Sequence, residues 1–179
     1  DRFVTQAEVT MKQCCLAHLA QLAINEQHPL SPTRKIQLLN QTHGVSTVIC
    51  DPVLTLQIID NLLSNALKFS DEHMTVYVRI YQDNGWVCCA VRDNGKGISA
   101  DDMPHIFTRY FRANTATDVD GTGIGLYIAA ELTTLQQGKL SAHSEPGEGS
   151  TFVLCLPKLN DATNIISRKR HDLTSDKGE

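Results

Sequence analysis

No apolar run in this chain approaches the ~20 residues that a membrane-crossing helix needs. No sign of charge dominates either. Sixteen basic and 20 acidic residues are interspersed and leave a net charge of −4, so no basic stripe is available to follow a phosphodiester backbone, and nucleic acid is not an expected partner. Among six cysteines and seven histidines there is no C-x-x-C pair, no H-E-x-x-H pair and no other metal-ligand spacing. Cys14, Cys15, Cys50, Cys88, Cys89 and Cys155 therefore read as small buried hydrophobes of a reducing compartment. Cys88 and Cys89, as neighbours in a strand, are expected to face opposite ways. The opening residues Asp1-Arg2-Phe3 show neither an initiator methionine nor the apolar core of a signal peptide, which is the expectation for a cytoplasmic piece of a longer chain without direct membrane contact of its own.

At 179 residues the chain is long enough to bury one core without disulfide support. Residues 1–158 read as one domain and residues 159–179, polar and aperiodic, as a linker or tail. Val9, Cys15, Leu16, Leu19, Leu22 and Ala23 recur at roughly helical spacing and predict a first helix from Gln6 to about Gln27. Short β-like stretches follow at Lys35–Asn40 and Ser46–Cys50, on either side of the His43-Gly44 turn. Asp51 as N-cap and Pro52 at the first helical position start a long helix that runs to about Phe69. Alternation from Met74 to Tyr81, the turn Asp83-Asn84-Gly85 and the stretch Trp86–Arg92 predict an antiparallel hairpin. Ser99 to Asp102 resembles a capping box before a helix that Pro104 keeps short. A helix from Gly125 to Gln136, stopped by Gly138, leads into a second hairpin, Lys139–Glu145 and Ser150–Leu156. The pattern is α+β: a mixed, mostly antiparallel sheet with helices on one face, a two-layer sandwich.

Chemistry concentrates in a few stretches. Asn61, Asn65 and Lys68 share one face of the long helix, opposite the stripe Leu54, Ile58, Ile59, Leu62, Leu63, Ala66 and Leu67. Amide oxygens are hard ligands that suit magnesium on a polyphosphate, and the lysine one turn on adds a positive charge beside it. Asp93 stands at a strand end, where a carboxylate can accept from the exocyclic amine of adenine, and Gly95 and Gly97 let the backbone approach a flat base. Gly121, Gly123 and Gly125, with Thr122, Ile124 and Leu126 between and after them, precede a helix whose free N–H groups favour phosphate, without the Walker A or Rossmann spacing. Between the glycine clusters, Phe107, Tyr110 and Phe111 read as a hydrophobic plug, and Arg112 first, then Arg109, as the guanidinium that reaches a γ-phosphate.

Taken in order, Asn61-Leu-Leu-Ser-Asn65-Ala-Leu-Lys68-Phe69, Asp93-Asn-Gly-Lys-Gly97-Ile98, Phe107-Thr-Arg-Tyr-Phe-Arg112, Gly121-Thr-Gly-Ile-Gly-Leu126 and Gly147-Glu-Gly-Ser-Thr151-Phe closely resemble the N, G1, F, G2 and G3 boxes of sensor histidine kinase catalytic domains. The resemblance runs from about Phe3 to Pro157. It implies the Bergerat α/β sandwich, shared with gyrase, MutL and chaperone ATPases, with ATP and Mg2+ as ligands. By that similarity Asp93 binds the adenine amine, Asn65, with Asn61, holds magnesium, Lys68 contacts phosphate, and Phe69 and Ile98 flank the nucleotide. Residues 113–120 form a lid and Thr151 supports the adenine pocket. The hydrolytic branch has a glutamate base where this chain has Asn61, and an amide cannot take a proton from water, so phosphotransfer to histidine is expected over hydrolysis. The lid stretch carries no lysine or arginine, and His18 lacks the acidic neighbour of an acceptor histidine. The resemblance thus implies a homodimeric parent whose upstream dimerisation domain carries the acceptor and whose downstream partner is a response regulator. The isolated chain is expected to bind Mg-ATP without phosphorylating itself. An ATPase, or an ATP-sensing module that has lost transfer, is the alternative.

Overall fold

The computed structural model describes residues 9–42, 46–113 and 122–159. The lid stretch from residue 114, Gly121, the His43-Gly44 turn and the tail from residue 160 lie outside the described residues. Five strands form one sheet in the order β2-β4-β5-β7-β6: β2 (Ile36–Asn40), β4 (Val76–Asp83), β5 (Trp86–Arg92), β7 (Gly149–Pro157) and β6 (Lys139–Glu145). Only the β2–β4 pair is parallel; the other three pairings are antiparallel. Helices α1 (Leu16–Gln27), α2 (Pro52–Phe69) and α3 (Gly125–Leu135) cover one face. The α+β two-layer sandwich read from the sequence is the architecture observed.

Strand alternation decides which face is which. Val76, Val78 and Ile80 of β4, Val87, Cys89 and Val91 of β5, and Phe152, Leu154 and Leu156 of β7 all turn inward and meet Leu16, Leu19, Ala20 and Ala23 of α1 and Ile58, Ile59, Leu62 and Leu63 of α2. Burial of these side chains at about 25 cal/mol per Å² of apolar surface is the main favourable term holding the layers together. Among the described residues the opposite face carries a small buried cluster of Cys88, Ala90 and Val153, with Tyr81, Trp86 and Cys155 packed against it. There Arg79 lies over the Tyr81 ring (4.6 Å) and Lys139 over Trp86 (4.3 Å), so long cationic side chains shield the rings.

Three sequence readings are corrected. The first helix begins at Leu16, not Gln6: Lys12–Cys15 forms β1, which pairs antiparallel with β3 (Thr47–Cys50) in a separate two-stranded ribbon. Apolar spacing alone could not anticipate that pairing, because its partner lies more than 30 residues downstream. The two β-like stretches after α1, which suggest a hairpin or two nearby strands, are both strands but for the same reason do not form a hairpin; β2 joins the main sheet and β3 joins β1. The short helix read after Ser99 is observed as a single 3-10 turn, Met103–His105, as Pro104 leads one to expect, and Ser99 Oγ accepts from the Asp102 N–H as a cap would (3.2 Å).

The cysteines are the third correction. Cys89 is buried in the core, where burial pushes its thiol up to about 12, but Cys15 is exposed. Cys88 and Cys155 are joined in a disulfide. They face each other directly in the β5–β7 register, with Cα atoms 4.1 Å apart, a proximity that 67 residues of sequence separation conceal. Cys88 and Cys89 do point to opposite faces, as expected.

The disulfide closes a loop that contains the segments from Asp93 to Ser150. Restriction of the unfolded chain by a loop of that length is worth roughly 4 kcal/mol, so reduction is expected to lower the thermal midpoint by about 8–16 °C, measured by calorimetry with and without a dithiol reductant. A midpoint insensitive to complete reduction would contradict this.

Candidate functional site

Helix α2 supplies the first wall. Asp51 caps it, its Oδ1 accepting from the Val53 and Leu54 N–H groups (3.0 and 3.2 Å), and Pro52 stands at its first position. With Ile58, Ile59, Leu62, Leu63 and Ala66 locked into the core, the opposite row of Asn61, Ser64, Asn65 and Lys68 is left lining a cavity of about 280 Å³. Phe69, at the end of the helix, lines it too, with Lys68 Nζ 5.9 Å from its ring centroid.

The floor of the cavity is the junction of β5 and β7. Asp93 follows β5 directly and is 3% exposed. Its N–H donates to the Ser150 carbonyl (2.9 Å), and its Oδ1 accepts from the N–H groups of Gly95 (2.8 Å) and Ser150 (3.2 Å). Neither of these two side-chain bonds uses Oδ2. Burial raises the Asp93 carboxyl above its ordinary value of 3.8, against the opposing pull of the Gly95, Ser150 and Asp93 N–H groups and of Arg92. Gly95 has to be glycine for a steric reason: a Cβ there would lie 2.1 Å from the Phe69 carbonyl oxygen. The turn after Asp93 is thus packed directly on the end of α2.

The remaining wall is the start of α3 with the aromatic segment. Thr122, Gly123, Gly125 and Leu126 line the cavity together with Phe111, Arg112 and Ala113. The Tyr110 N–H donates to the Gly123 carbonyl (3.0 Å), tying the two segments together. Gly123 has φ +68°, and a Cβ on it would lie 2.6 Å from the Phe111 carbonyl oxygen. Phe107 and Phe111 pack on the core, as the plug reading expects, whereas Tyr110 is 61% exposed with Arg109 over its ring (4.8 Å). Among the described residues the cavity lining has three cationic side chains, Lys68, Lys96 and Arg112, against one carboxylate, Asp93. That balance favours an anionic ligand with one polar, amine-bearing end.

Of the residues singled out from sequence, Asn61, Asn65, Lys68, Phe69, Asp93, Gly97, Ile98, Arg112, Thr122, Gly123, Gly125 and Leu126 are brought together around this one cavity. Gly95 lies behind it, against Phe69, and Ile124 is the N-cap residue of α3 without lining it. Arg109 is not among the lining residues, and Gly121 lies outside the described residues. Thr151 is misplaced by the sequence reading: Ser150 and Phe152 line the cavity, and strand alternation puts Thr151 between them on the other face, paired with Arg92 and His143. Ser150 was the residue missed. A strand count from Gly149 would have found it, since the buried neighbours Phe152, Leu154 and Leu156 share its parity. Ser144 Oγ accepts from the Ile98 N–H and lies 2.9 Å from Ser150 Oγ, a second polar support that no sequence motif signalled. Lys96 was missed because, within the turn, it reads as an ordinary solvated residue.

Comparison with known proteins agrees with this geometry. Residues 50–160 match the family model described as histidine kinase-, DNA gyrase B-, and HSP90-like ATPase. Sensor histidine kinase RcsC of Escherichia coli (strain K12) is 38% identical over 109 residues, 60% of this chain and 11% of RcsC. Circadian input-output histidine kinase CikA of Synechococcus elongatus is 30% identical over 158 residues, 86% of this chain and 21% of CikA. The chain therefore spans a small part of the length of these relatives. Among solved structures, the mycobacterial sensor histidine kinase MprB superposes with a TM-score of 0.72 at 22% identity, over 83% of this chain and 97% of that one. Full-length ShkA, solved in complex with AMPPNP, gives 0.73 at 23% identity, over 86% and 32%. At those identities the structures speak for the fold, and the family match speaks for descent: this chain belongs to the histidine kinase-, DNA gyrase B- and HSP90-like ATPase family.

Proposed function

We propose that this chain is the ATP-binding catalytic domain of a two-component sensor histidine kinase, which passes the γ-phosphoryl group of ATP to a histidine on a dimerisation domain outside this chain. The observation that carries this is one cavity with the Asn61, Asn65 and Lys68 row on one wall and buried Asp93 on its floor. A response regulator and a homodimeric parent belong to the same reading.

Asp93 reads the base. Its carboxylate accepts from the exocyclic amine of adenine, where guanine presents a carbonyl, and Gly97 and Ile98 lie beside it in the cavity lining. Lys68, Lys96 and Arg112 meet the phosphate charge, Arg112 with the planar fork that suits a γ-phosphate; Arg109, stacked on Tyr110, stands second to it. The donor set fits magnesium: the amide oxygens of Asn65 and Asn61 are hard, uncharged ligands for an ion that arrives with the phosphates. When bound, magnesium neutralises the triphosphate charge that otherwise repels a nucleophile. Transfer itself requires little of the protein beyond placement. A neutral imidazole attacks through its unprotonated nitrogen; an N–P bond forms as the bond from the γ-phosphorus to the bridging oxygen breaks, and the electron pair leaves on ADP. Asn61 cannot deprotonate a water, which argues against the hydrolytic alternative.

With the parent chain that includes the upstream segment, γ-labelled ATP is expected to leave an acid-labile, base-stable label. Asn65→Ala should reduce that label by on the order of 100-fold. In the isolated chain His18 should stay unlabelled; phosphate on it would overturn the assignment of the acceptor. Nucleotide binding without label, accompanied by steady phosphate release, would favour an ATPase.

The raised Asp93 carboxyl gives a pH signature. Because its folded-state value is raised, this group opposes folding while ionised, and that opposition fades as pH falls through the raised value. Base recognition has the opposite sign, since a protonated carboxyl no longer accepts from the amine on that oxygen. Adenosine affinity is therefore expected to fall on acidification, beginning at a higher pH than an exposed aspartate would dictate. Asp93→Asn should weaken binding by at least about tenfold and abolish the pH dependence. Calorimetric titration with adenosine, which lacks titrating phosphates, reads both effects. An unchanged pH profile in Asp93→Asn would exclude Asp93 as the acceptor.

A further inference from the structure

Arg34 stands on the turn before β2, outside the cavity, half-buried, with its guanidinium against the end of α2. Nη1 donates to the Ser70 carbonyl (2.8 Å) and Nη2 to Ser70 Oγ (2.5 Å), while that hydroxyl donates on to the Ala66 carbonyl (2.6 Å). The planar fork thus closes the last turn of the helix, and a cation at this end is favoured by the helix dipole. Arg34 Nε is buried without a hydrogen-bond partner. An arginine lying there by chance would keep that N–H in water; here it is given up so that the other two nitrogens reach Ser70.

What Arg34 grips leads into the site. Ser70, itself buried, directly follows Lys68 and Phe69, which line the cavity. The Phe69 carbonyl is the surface against which Gly95 packs, too closely for any side chain at that position. The Gly95 N–H in turn donates to Asp93 Oδ1 (2.8 Å). A continuous series of contacts therefore runs from Arg34 through Ser70, Phe69 and Gly95 to Asp93, with Lys68 set by the same helix turn.

The geometry points to Arg34 as a positioning residue for the nucleotide: from outside the cavity it fixes the end of α2 against the turn after Asp93, and so holds Lys68 and Asp93 in register for one ligand. This rests on the proposed function. A lysine would keep the charge but not the two-pronged grip.

The test compares Arg34→Ala, Arg34→Lys and, as a stability control, the core substitution Ile24→Val, measuring ATP and adenosine affinity by calorimetry and the thermal midpoint in the absence of ligand. Arg34→Ala is expected to weaken both ligands by about tenfold, with Arg34→Lys recovering part of the loss. Ile24→Val, remote from the cavity, should stay within about twofold of wild type whatever its midpoint. Wild-type affinities in Arg34→Ala beside a lowered midpoint would reduce Arg34 to a helix cap and overturn the inference. A wild-type chain that binds neither ligand overturns the proposed function instead. Amide exchange at Ser70 and Gly95, which needs no nucleotide, then decides whether Arg34 holds the two segments together: faster exchange at both in Arg34→Ala supports that hold, and exchange unchanged at Gly95 removes it.

Discussion

The architecture turns on one buried carboxylate. Asp51 Oδ1 caps α2, Oδ2 accepts from the Thr10 N–H (2.7 Å), and its own N–H donates to Gln136 Oε1 (2.7 Å) at the far end of α3. Three parts distant in sequence, the segment just before β1, the central helix and the end of the helix after the second glycine cluster, are thereby fixed to one residue. The consequence for α2 is rotational. Successive residues on a helix differ by about 100°, so a start displaced by one position would swing Asn61 and Asn65 off the cavity and push polar groups into the core. Gln136, fully buried, also accepts from Thr55 Oγ1 (3.0 Å), so the α2–α3 contact is specified by polar geometry as well as by apolar packing.

How much of this the sequence discloses depends on how local the cause is. The cap and proline that start α2, the apolar stripe that orients it, the Asn84-Gly85 turn and the alternation of β4 and β5 all act within one or two turns of chain, and they could be read directly. The ribbon of β1 with β3, the parallel placement of β2 and the contact of Cys88 with Cys155 are consequences of which distant segments meet, and no period encodes them. The site follows the same division. Asn61, Asn65, Lys68 and Asp93 were legible because each has a local pattern around it. Ser150 and Ser144 were not, because their placement arises from the register of β6 on β7, which brings the two hydroxyls within 2.9 Å of each other. Thr151 shows the cost of carrying a motif over without its strand parity.

The cavity combines opposed demands by separating them in space. Under the proposed function, reading a base calls for a dry, buried acceptor; Asp93 is buried at the sheet, where the Gly95 and Ser150 N–H groups donate to its Oδ1. Under the same proposal, meeting a polyphosphate calls for solvated cations, and Lys68 and Lys96 line the cavity with exposed side chains. The rigid end belongs to the sheet and the adaptable end to helix termini and loops, the arrangement expected where specificity and turnover are set by different groups.

The hydrogen bond from the Tyr110 N–H to the Gly123 carbonyl closes the two ends of residues 111–122 on each other. Chain inserted between such ends alters the closure entropy only slowly, by about 0.6 kcal/mol for each doubling of length. Chain length between those ends is thereby uncoupled from the placement of Asn61 and Asp93. Descendants of this domain have, at that one point, room to acquire new sequence without refolding the rest.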